Sequence, residues 1–170
     1  MDTSTFPEID ALLNGLRDGI HAILGNRLVG LYLYGSLVTG DFGREISDVD
    51  LLAVVASDLD ETEFGMLDQL HEVMVVAHPA WRDRIEIAYL SAAALKRFRT
   101  EISPIAVISP GEPFHFKEAG ADWLINWWVV RGQGVSLFGP PPAAFIDPIA
   151  DEEFLHAVRE QVAEWRTWVY

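Results

Sequence analysis

The chain has 170 residues, and 50% of them are hydrophobic, which is enough apolar material for the core of a single domain. Acidic residues outnumber basic residues by 26 to 12, and the net charge of -14 disfavours binding to the phosphate backbone of a nucleic acid. The absence of cysteine excludes disulfides and thiolate metal sites. No apolar run reaches the roughly 20 residues that cross a bilayer, and a basic leader is lacking, so we expect a cytoplasmic protein without membrane contacts.

Helices and strands are predicted to alternate over the first hundred residues, which is typical of an α/β fold. Apolar residues three and four positions apart predict helices, whereas short, wholly apolar runs predict strands that are buried on both faces. The predicted elements are a helix at 9–24, strands at 28–34 and 48–55, a helix at 60–77, a strand at 84–90 and a helix at 92–98.

The second part of the chain has a more mixed pattern. Three prolines within 102–117 predict short strands and turns, a helix is expected from about 119 to 131, and 135–138 is expected to be extended. Gly139 and the three prolines after it are the best boundary candidate, and the apolar spacing from 151 onward predicts a final amphipathic helix. The apolar side of that helix needs a partner, which could be the same domain, a second copy in a homodimer, or a further helical domain.

A sharp turn precedes two alternate carboxylates. Glycine at position 35 lets the backbone approach a bulky anion, while the Ser36 hydroxyl and the amides after it can donate to phosphate oxygens. Eleven residues separate Ser36 from Asp48, and Asp50 follows two positions later. Alternate residues of a strand point the same way, so Asp48 and Asp50 are expected to share one face. Gly35 and Ser36 are therefore predicted to bind phosphate beside two catalytic aspartates.

The two carboxylates predict a metal site. Charges about 4 Å apart repel by roughly 4 kcal/mol at an effective dielectric of about 20, so an unaided pair tends to hold a proton. Magnesium removes that penalty, because it prefers hard oxygen ligands and combines a few carboxylates with substrate phosphates. Asp48 and Asp50 are therefore predicted magnesium ligands, and the implied chemistry is phosphoryl or nucleotidyl transfer from a nucleoside triphosphate.

Glu86 is a single charge in an otherwise apolar part of the third predicted strand. If that strand lies beside the aspartate strand, Glu86 could ligate a second metal or accept a proton from an attacking hydroxyl as general base. The alternative is an edge-strand carboxylate paired with Arg82 or Arg84. Arg44, in the loop before the aspartates, could reach a triphosphate or remain solvated.

The turn, its spacing to the aspartates and the later carboxylate resemble the polymerase-β-like nucleotidyltransferase superfamily. Within it, Leu-Tyr-Gly-Ser at 33–36 and Ser-Asp-Val-Asp-Leu-Leu at 47–52 are similar to the aminoglycoside adenylyltransferases that modify streptomycin and spectinomycin. Trp-Trp at 127–128 and Leu-Phe-Gly-Pro at 137–140 also resemble that family, so the resemblance covers about 28–150.

The resemblance implies a nucleotidyltransferase domain at 1–142 that contains a small mixed sheet flanked by helices. Residues 143–170 would be the start of a C-terminal helical region that is incomplete. It also implies transfer of AMP from ATP to an antibiotic hydroxyl, with pyrophosphate leaving. Ser36 would then bind the triphosphate, Asp48 and Asp50 would hold Mg²⁺, and Glu86 would be the base. An acidic protein suits a small polycationic acceptor.

Two other functions are compatible with the same core. A minimal nucleotidyltransferase of a toxin–antitoxin pair would modify a partner protein; the missing helical domain favours it, and the additional residues at 102–150 oppose it. A non-catalytic nucleotide-binding module would retain the fold without the reaction. The presence of all three carboxylates argues against that module.

Overall fold

A computed structural model describes residues 7–168, with the side chains of residues 7–164. The helices of this part are α1 (Pro7–Leu24), α2 (Ser36–Thr39), α3 (Glu61–Ala77), α4 (Ala92–Arg97), α5 (Leu124–Gln133) and α6 (Asp151–Trp168). The strands are β1 (Leu28–Tyr34), β2 (Val49–Val55), β3 (Ile85–Ser91), β4 (Ser103–Ser109), β5 (Glu112–Ala119) and β6 (Val135–Phe138).

Side-chain caps fix the starts of two helices. Asp60 precedes α3 and accepts a hydrogen bond from the Glu63 backbone N–H at 2.8 Å, while the Glu63 carboxylate accepts from the Asp60 N–H at 3.0 Å. This reciprocal capping box satisfies two backbone donors that the helix leaves unpaired. Ser91 caps α4 by accepting from the Ala94 N–H. The helices predicted from apolar spacing over the first hundred residues are confirmed.

The six strands form one mixed sheet in the order β5-β4-β3-β2-β1-β6. Only β2 and β3 run parallel, and the other neighbouring pairs are antiparallel. A parallel pair needs a long crossover, and α3 provides it between β2 and β3. The expected small mixed sheet flanked by helices is therefore confirmed.

The short strands and turn predicted for 102–117 are present, but the helix after them begins later than expected. β4 and β5 form a hairpin of one seven-residue and one eight-residue strand, and Gly111 adopts a positive φ of 76° in its turn. Ala119 still belongs to β5, so the helix expected from about 119 begins later. A 3-10 turn at Ala121–Trp123 leads into α5 at Leu124.

The sheet separates two apolar cores because alternate strand residues point to opposite faces. One core lies under α1 and α3 and includes Leu31 and Leu51 from the strands. The other lies under α4 and α5 and includes Tyr32, Leu52 and Trp127. Both faces of β1, β2 and β3 are thus buried, which explains why these strands have nearly continuous apolar sequences.

Residues after the proline loop pack on the second core. Ile146 and Ile149 are buried there, and Phe154 of α6 stacks on Trp128 of α5 with ring centroids 4.1 Å apart. The start of α6 therefore finds its partner within the same chain, whereas Leu155 and Val162 stay exposed. A division of the chain after residue 142 stays a prediction.

Candidate active site

Three polar side chains from neighbouring strands form a row near one end of the sheet. Tyr34 of β1 pairs with Asp50 of β2, and Asp50 pairs with Glu86 of β3. The alternation of strand residues puts this row on the face of the second core. Asp48 lies one residue before β2 and has the same parity as Asp50. The expected neighbourhood of the aspartate strand and the Glu86 strand is confirmed by their direct pairing.

Gly35 brings the backbone against the Asp50 carboxylate. Its φ of 74° and ψ of -154° lie in a region that is essentially restricted to glycine. A Cβ atom at this position would collide with the Asp50 carboxylate. Ser36 then begins the single turn of α2, in which the Gly35 carbonyl accepts hydrogen bonds from the Val38 and Thr39 N–H groups at 3.0 and 3.1 Å. The backbone at Gly35 therefore lies so close to the Asp50 carboxylate that no side chain fits between them.

The carboxylates of the row destabilise one another in their ionised forms. Burial raises the pKa of Asp50 from 3.8 to about 7, and the negative charges of Glu86 and Asp48 add to the effect. The pKa of Glu86 is also raised, mainly by burial and to a smaller extent by the charge of Asp48. The Lys117 ammonium opposes this rise. A cation at this end of the sheet would relieve the repulsion.

Tyr34 links the row to α5. Its side chain is only 5% exposed, and its pKa is raised by burial and then by the charges of Glu86 and Asp50. A side-chain hydrogen bond with Asn126 of α5 opposes that rise. Sequence reasoning noted Tyr34 only as part of a motif and missed Asn126. The link depends on how α5 packs across the sheet, which local sequence patterns do not reveal.

Arg84 and Arg44, the arginines near the row, bind to partners outside it. Because β3 lies between β2 and β4, Glu86 is not on an edge strand, and Arg84 donates to the carbonyl oxygens of Arg44 and Ser47. The Arg44 guanidinium lies 2.5 Å from the Glu8 carboxylate of α1. Binding of a triphosphate by Arg44 stays a prediction, and its described ion pair would have to open for it.

A cavity of about 600 Å³ opens beside Glu86, between β5, α5 and α6. Four carboxylates line it, and they belong to Glu86, Asp122, Glu160 and Glu164. Lys117 is the basic residue of the wall, and its ammonium lies 5.2 Å above the ring of Trp123. The cavity is therefore predominantly acidic and adjoins the row of polar side chains.

The contribution of α6 to this cavity was missed from the sequence. Ala157, Glu160, Gln161 and Glu164 line one wall, and their spacing of three and four residues puts them on one helix face. The same spacing is visible in the sequence, but it does not tell which face meets the sheet. Trp127, by contrast, is buried as expected of an aromatic residue at helical spacing.

No preformed metal cage exists in the described part of the chain. Among residues 7–168, no three His, Asp or Glu side chains are grouped so that they could hold a metal ion as they stand. None of the helices described is long and apolar enough to span a membrane.

Comparison with known proteins identifies the fold. Residues 16–109, more than half of the chain, match the nucleotidyltransferase domain family, whereas no curated protein matches. Among solved structures, the chain is similar to the spectinomycin adenyltransferase AAD(9) from Enterococcus faecialis with ATP and spectinomycin. The identity is 17% and the TM-score 0.73, with 91% of this chain and 66% of that chain covered. The chain thus spans just under two thirds of that relative. The family match, with this likeness in fold, shows a polymerase-β-like nucleotidyltransferase fold.

Weaker likenesses connect the chain to toxin–antitoxin structures. A toxin-antitoxin structure with AMP-PNP is 16% identical with a TM-score of 0.39, over 89% of this chain and 94% of that chain. A structure of tri-AMPylated Shewanella oneidensis HEPN toxin in complex with MNT antitoxin is 13% identical with a TM-score of 0.41, over 94% of both chains. At these TM-scores neither structure bears on what the chain acts on.

Proposed function

Because the chain belongs to the nucleotidyltransferase domain family, we propose that it transfers AMP from ATP to a hydroxyl of an aminoglycoside-type acceptor and releases pyrophosphate. The observation that carries this proposal is the row of Tyr34, Asp50 and Glu86 with an acidic cavity directly beside Glu86. In the proposed reaction, the row would supply catalytic groups and the acidic cavity would hold a cationic acceptor.

Glu86 of the row and the turn beside the row have separate roles in the proposed reaction. The close backbone approach at Gly35 and the hydroxyl of Ser36 would hold the triphosphate. Glu86 belongs to the row and also lines the cavity, so a hydroxyl bound in the cavity would meet this carboxylate. A carboxylate that meets the acceptor hydroxyl in this way suits the role of general base.

Magnesium fits the donor set at the row. Asp48, Asp50 and Glu86 offer hard carboxylate oxygens, and their mutual repulsion favours a divalent cation. A magnesium site usually takes only one or two carboxylates and completes its shell with water and substrate phosphates, so a preformed three-ligand cage is not required. Bound Mg²⁺ would supply charge neutralisation at the α-phosphate and the leaving pyrophosphate.

The charge of the cavity supports a polycationic acceptor. Asp122, Glu160 and Glu164 face the same space as Glu86, and clefts lined by one sign of charge concentrate ligands of the other sign. Trp123 adds an aromatic surface in the same wall.

The proposed location of the protein is the cytoplasm, where ATP and magnesium are both abundant.

The test is acceptor-dependent release of pyrophosphate. The protein is incubated with ATP, Mg²⁺ and a panel of aminoglycosides that includes streptomycin and spectinomycin. We expect release that requires both Mg²⁺ and a cationic acceptor, and that is lost in Asp50→Asn and Glu86→Gln. Asp41→Asn removes a carboxylate from the exposed loop before the row and serves as the matched control. Equal rates in wild type and Asp48→Ala would exclude the proposed mechanism.

Other outcomes separate the alternative functions. Turnover that appears only with a co-expressed protein would identify a protein acceptor in place of an antibiotic. Binding of ATP with Mg²⁺ but no turnover with any acceptor would identify a non-catalytic nucleotide-binding module.

A further inference from the structure

Arg84 holds the chain on both sides of Asp48. Its Nε donates to the carbonyl oxygen of Ser47 at 3.0 Å, and its Nη2 donates to the same oxygen and to the carbonyl of Arg44 at 2.7 Å. The Arg84 carbonyl accepts from the Val49 N–H at 2.9 Å. Ser47 and Val49 flank Asp48, so one residue of the chain fixes the backbone immediately before and after this carboxylate.

The Arg84 side chain is itself held in place. Its guanidinium lies 4.6 Å from the ring centre of Trp81, which is only 3% exposed. Trp81 also stacks on Phe42 in the loop that Arg84 binds. A planar guanidinium donates two hydrogen bonds in a fixed geometry, which the flexible ammonium of a lysine does not reproduce. The contact is therefore an ordered clamp on the loop.

The segment next to Asp48 is a compact turn, which the Arg44–Glu8 ion pair also ties to α1. The Ser47 hydroxyl accepts from the Gly43 N–H at 2.9 Å, and the Gly43 carbonyl accepts from the Ser47 N–H at 2.8 Å, so 43–47 closes on itself as a turn. Ile46 at its tip is 84% exposed. The described bonds of Arg84 connect this turn to β3, the strand that carries Glu86.

We propose that Arg84 is a positioning residue for metal binding, acting through the Ser47 carbonyl to hold Asp48 in register with Asp50 and Glu86. The inference rests on the proposed function, because it takes these carboxylates as metal ligands. Residues that orient metal ligands typically contribute about ten- to hundredfold to metal affinity.

The experiment measures Mn²⁺ binding to the nucleotide-free protein, using the loss of the electron paramagnetic resonance signal of free Mn²⁺. We expect Arg84→Lys and Arg84→Gln to bind Mn²⁺ about tenfold more weakly than wild type. Arg82→Gln removes an equivalent charge two residues away and should leave the affinity unchanged. Asp50→Asn reports whether the measured ion occupies the proposed site.

The sign of the effect separates geometry from charge. Removing a positive charge near carboxylates strengthens cation binding if charge alone matters, so Arg84→Gln would then bind Mn²⁺ more tightly and Arg84→Lys would match wild type. Either of those results would overturn the inference. If wild type fails to bind Mn²⁺, or Asp50→Asn binds it equally well, the metal site of the proposed function fails, and the inference fails with it.

Hydrogen exchange provides a readout that does not involve the metal. In the metal-free protein, backbone amides of 42–49 should exchange faster in Arg84→Lys than in Arg82→Gln, while amides of α3 exchange equally in both. Unchanged exchange in 42–49 would overturn the clamp. Faster exchange throughout the chain would show a general loss of stability instead of local positioning, and would equally overturn it.

Discussion

Asp50→Asn should make the metal-free protein more stable while it removes activity. The folded protein raises the pKa of Asp50 to about 7, chiefly by burial and then through Glu86 and Asp48. Between the ordinary pKa of 3.8 and about 7, the folded carboxyl keeps a proton that the unfolded chain has lost. Stability contributed by this group therefore falls as the pH rises through that window, and it is lowest above about pH 7.

The structure sets the size of the effect. A change in pKa from 3.8 to about 7 corresponds to a ceiling of about 4 kcal/mol between the neutral and ionised forms. Asp50 is partly exposed, and solvent screening reduces this ceiling, so we expect Asp50→Asn to gain about 2 kcal/mol at pH 8. For a chain of this length, that gain corresponds to a rise in Tm of about 4 to 8 °C.

Thermal denaturation at several pH values measures this difference. Without divalent metal, the two proteins should have nearly equal Tm values at pH 4 and should diverge until about pH 7. Addition of Mg²⁺ at pH 8 should raise the Tm of wild type more than that of Asp50→Asn, because a ligand stabilises the state that binds it. Asp41→Asn should show neither effect. A Tm of Asp50→Asn at or below that of wild type at pH 8 would refute the reasoning.

Four further outcomes follow from described contacts. Gly35→Ala should abolish transfer and destabilise the fold by at least about 2 kcal/mol, because the added Cβ meets a carboxylate in a strained backbone conformation. The control is Gly65→Ala, which lies in open space on a helix and should be neutral or stabilising in the same denaturation assay. Tyr89→Phe should cost about 1 to 3 kcal/mol, because it removes the 2.8 Å partner of the buried His71 Nε2. Burial lowers the pKa of His71 to about 4, so stability from this residue should be lost as the pH falls from about 6.5, which pH-dependent melts of His71→Gln should not show. Glu160→Gln should raise the KM for a cationic acceptor about fivefold with little change in kcat, as steady-state kinetics would show.

The central strands and the turn could be predicted because their sequence signals are local. The strands β1, β2 and β3 are buried on both faces, which produces short apolar runs, and the polar exceptions Asp50 and Glu86 stand out against them. Gly35 interrupts the pattern where the backbone must take a positive φ. The fold family and the two carboxylates of the row were therefore accessible from the sequence.

The prolines of β4 and β5 left the pairing of these two strands within the sheet unpredicted. Proline cannot donate to a sheet, so Pro104 and Pro113 predicted short strands and turns. Pro104 lies outside the part of β4 that pairs with β3, which extends from Ala106 to Ile108, and Pro113 lies in the edge strand β5. At both prolines, the strand therefore lacks a hydrogen-bonded neighbour on one side. Only the order of the strands in the sheet reveals this.

The acidic cavity could not be predicted because its walls come from distant parts of the chain. Glu86, Lys117, Asp122 and Glu160 meet only after α5 and α6 have packed across the sheet. The same holds for the Arg84 clamp, since an arginine and two backbone carbonyls 37 and 40 residues away leave no pattern in the sequence. Contacts of this kind depend on tertiary packing and have no local signature.

The most direct test of the central claim follows the fate of each phosphorus atom of ATP. The protein is incubated with Mg²⁺, an aminoglycoside, and ATP radiolabelled at either the α- or the γ-phosphorus. Nucleotidyl transfer at the row predicts that the α-label appears on the acceptor and the γ-label leaves in pyrophosphate, with both signals absent in Asp50→Asn and Glu86→Gln. Transfer of the γ-label to the acceptor, or undiminished α-label transfer in Asp50→Asn, would contradict it.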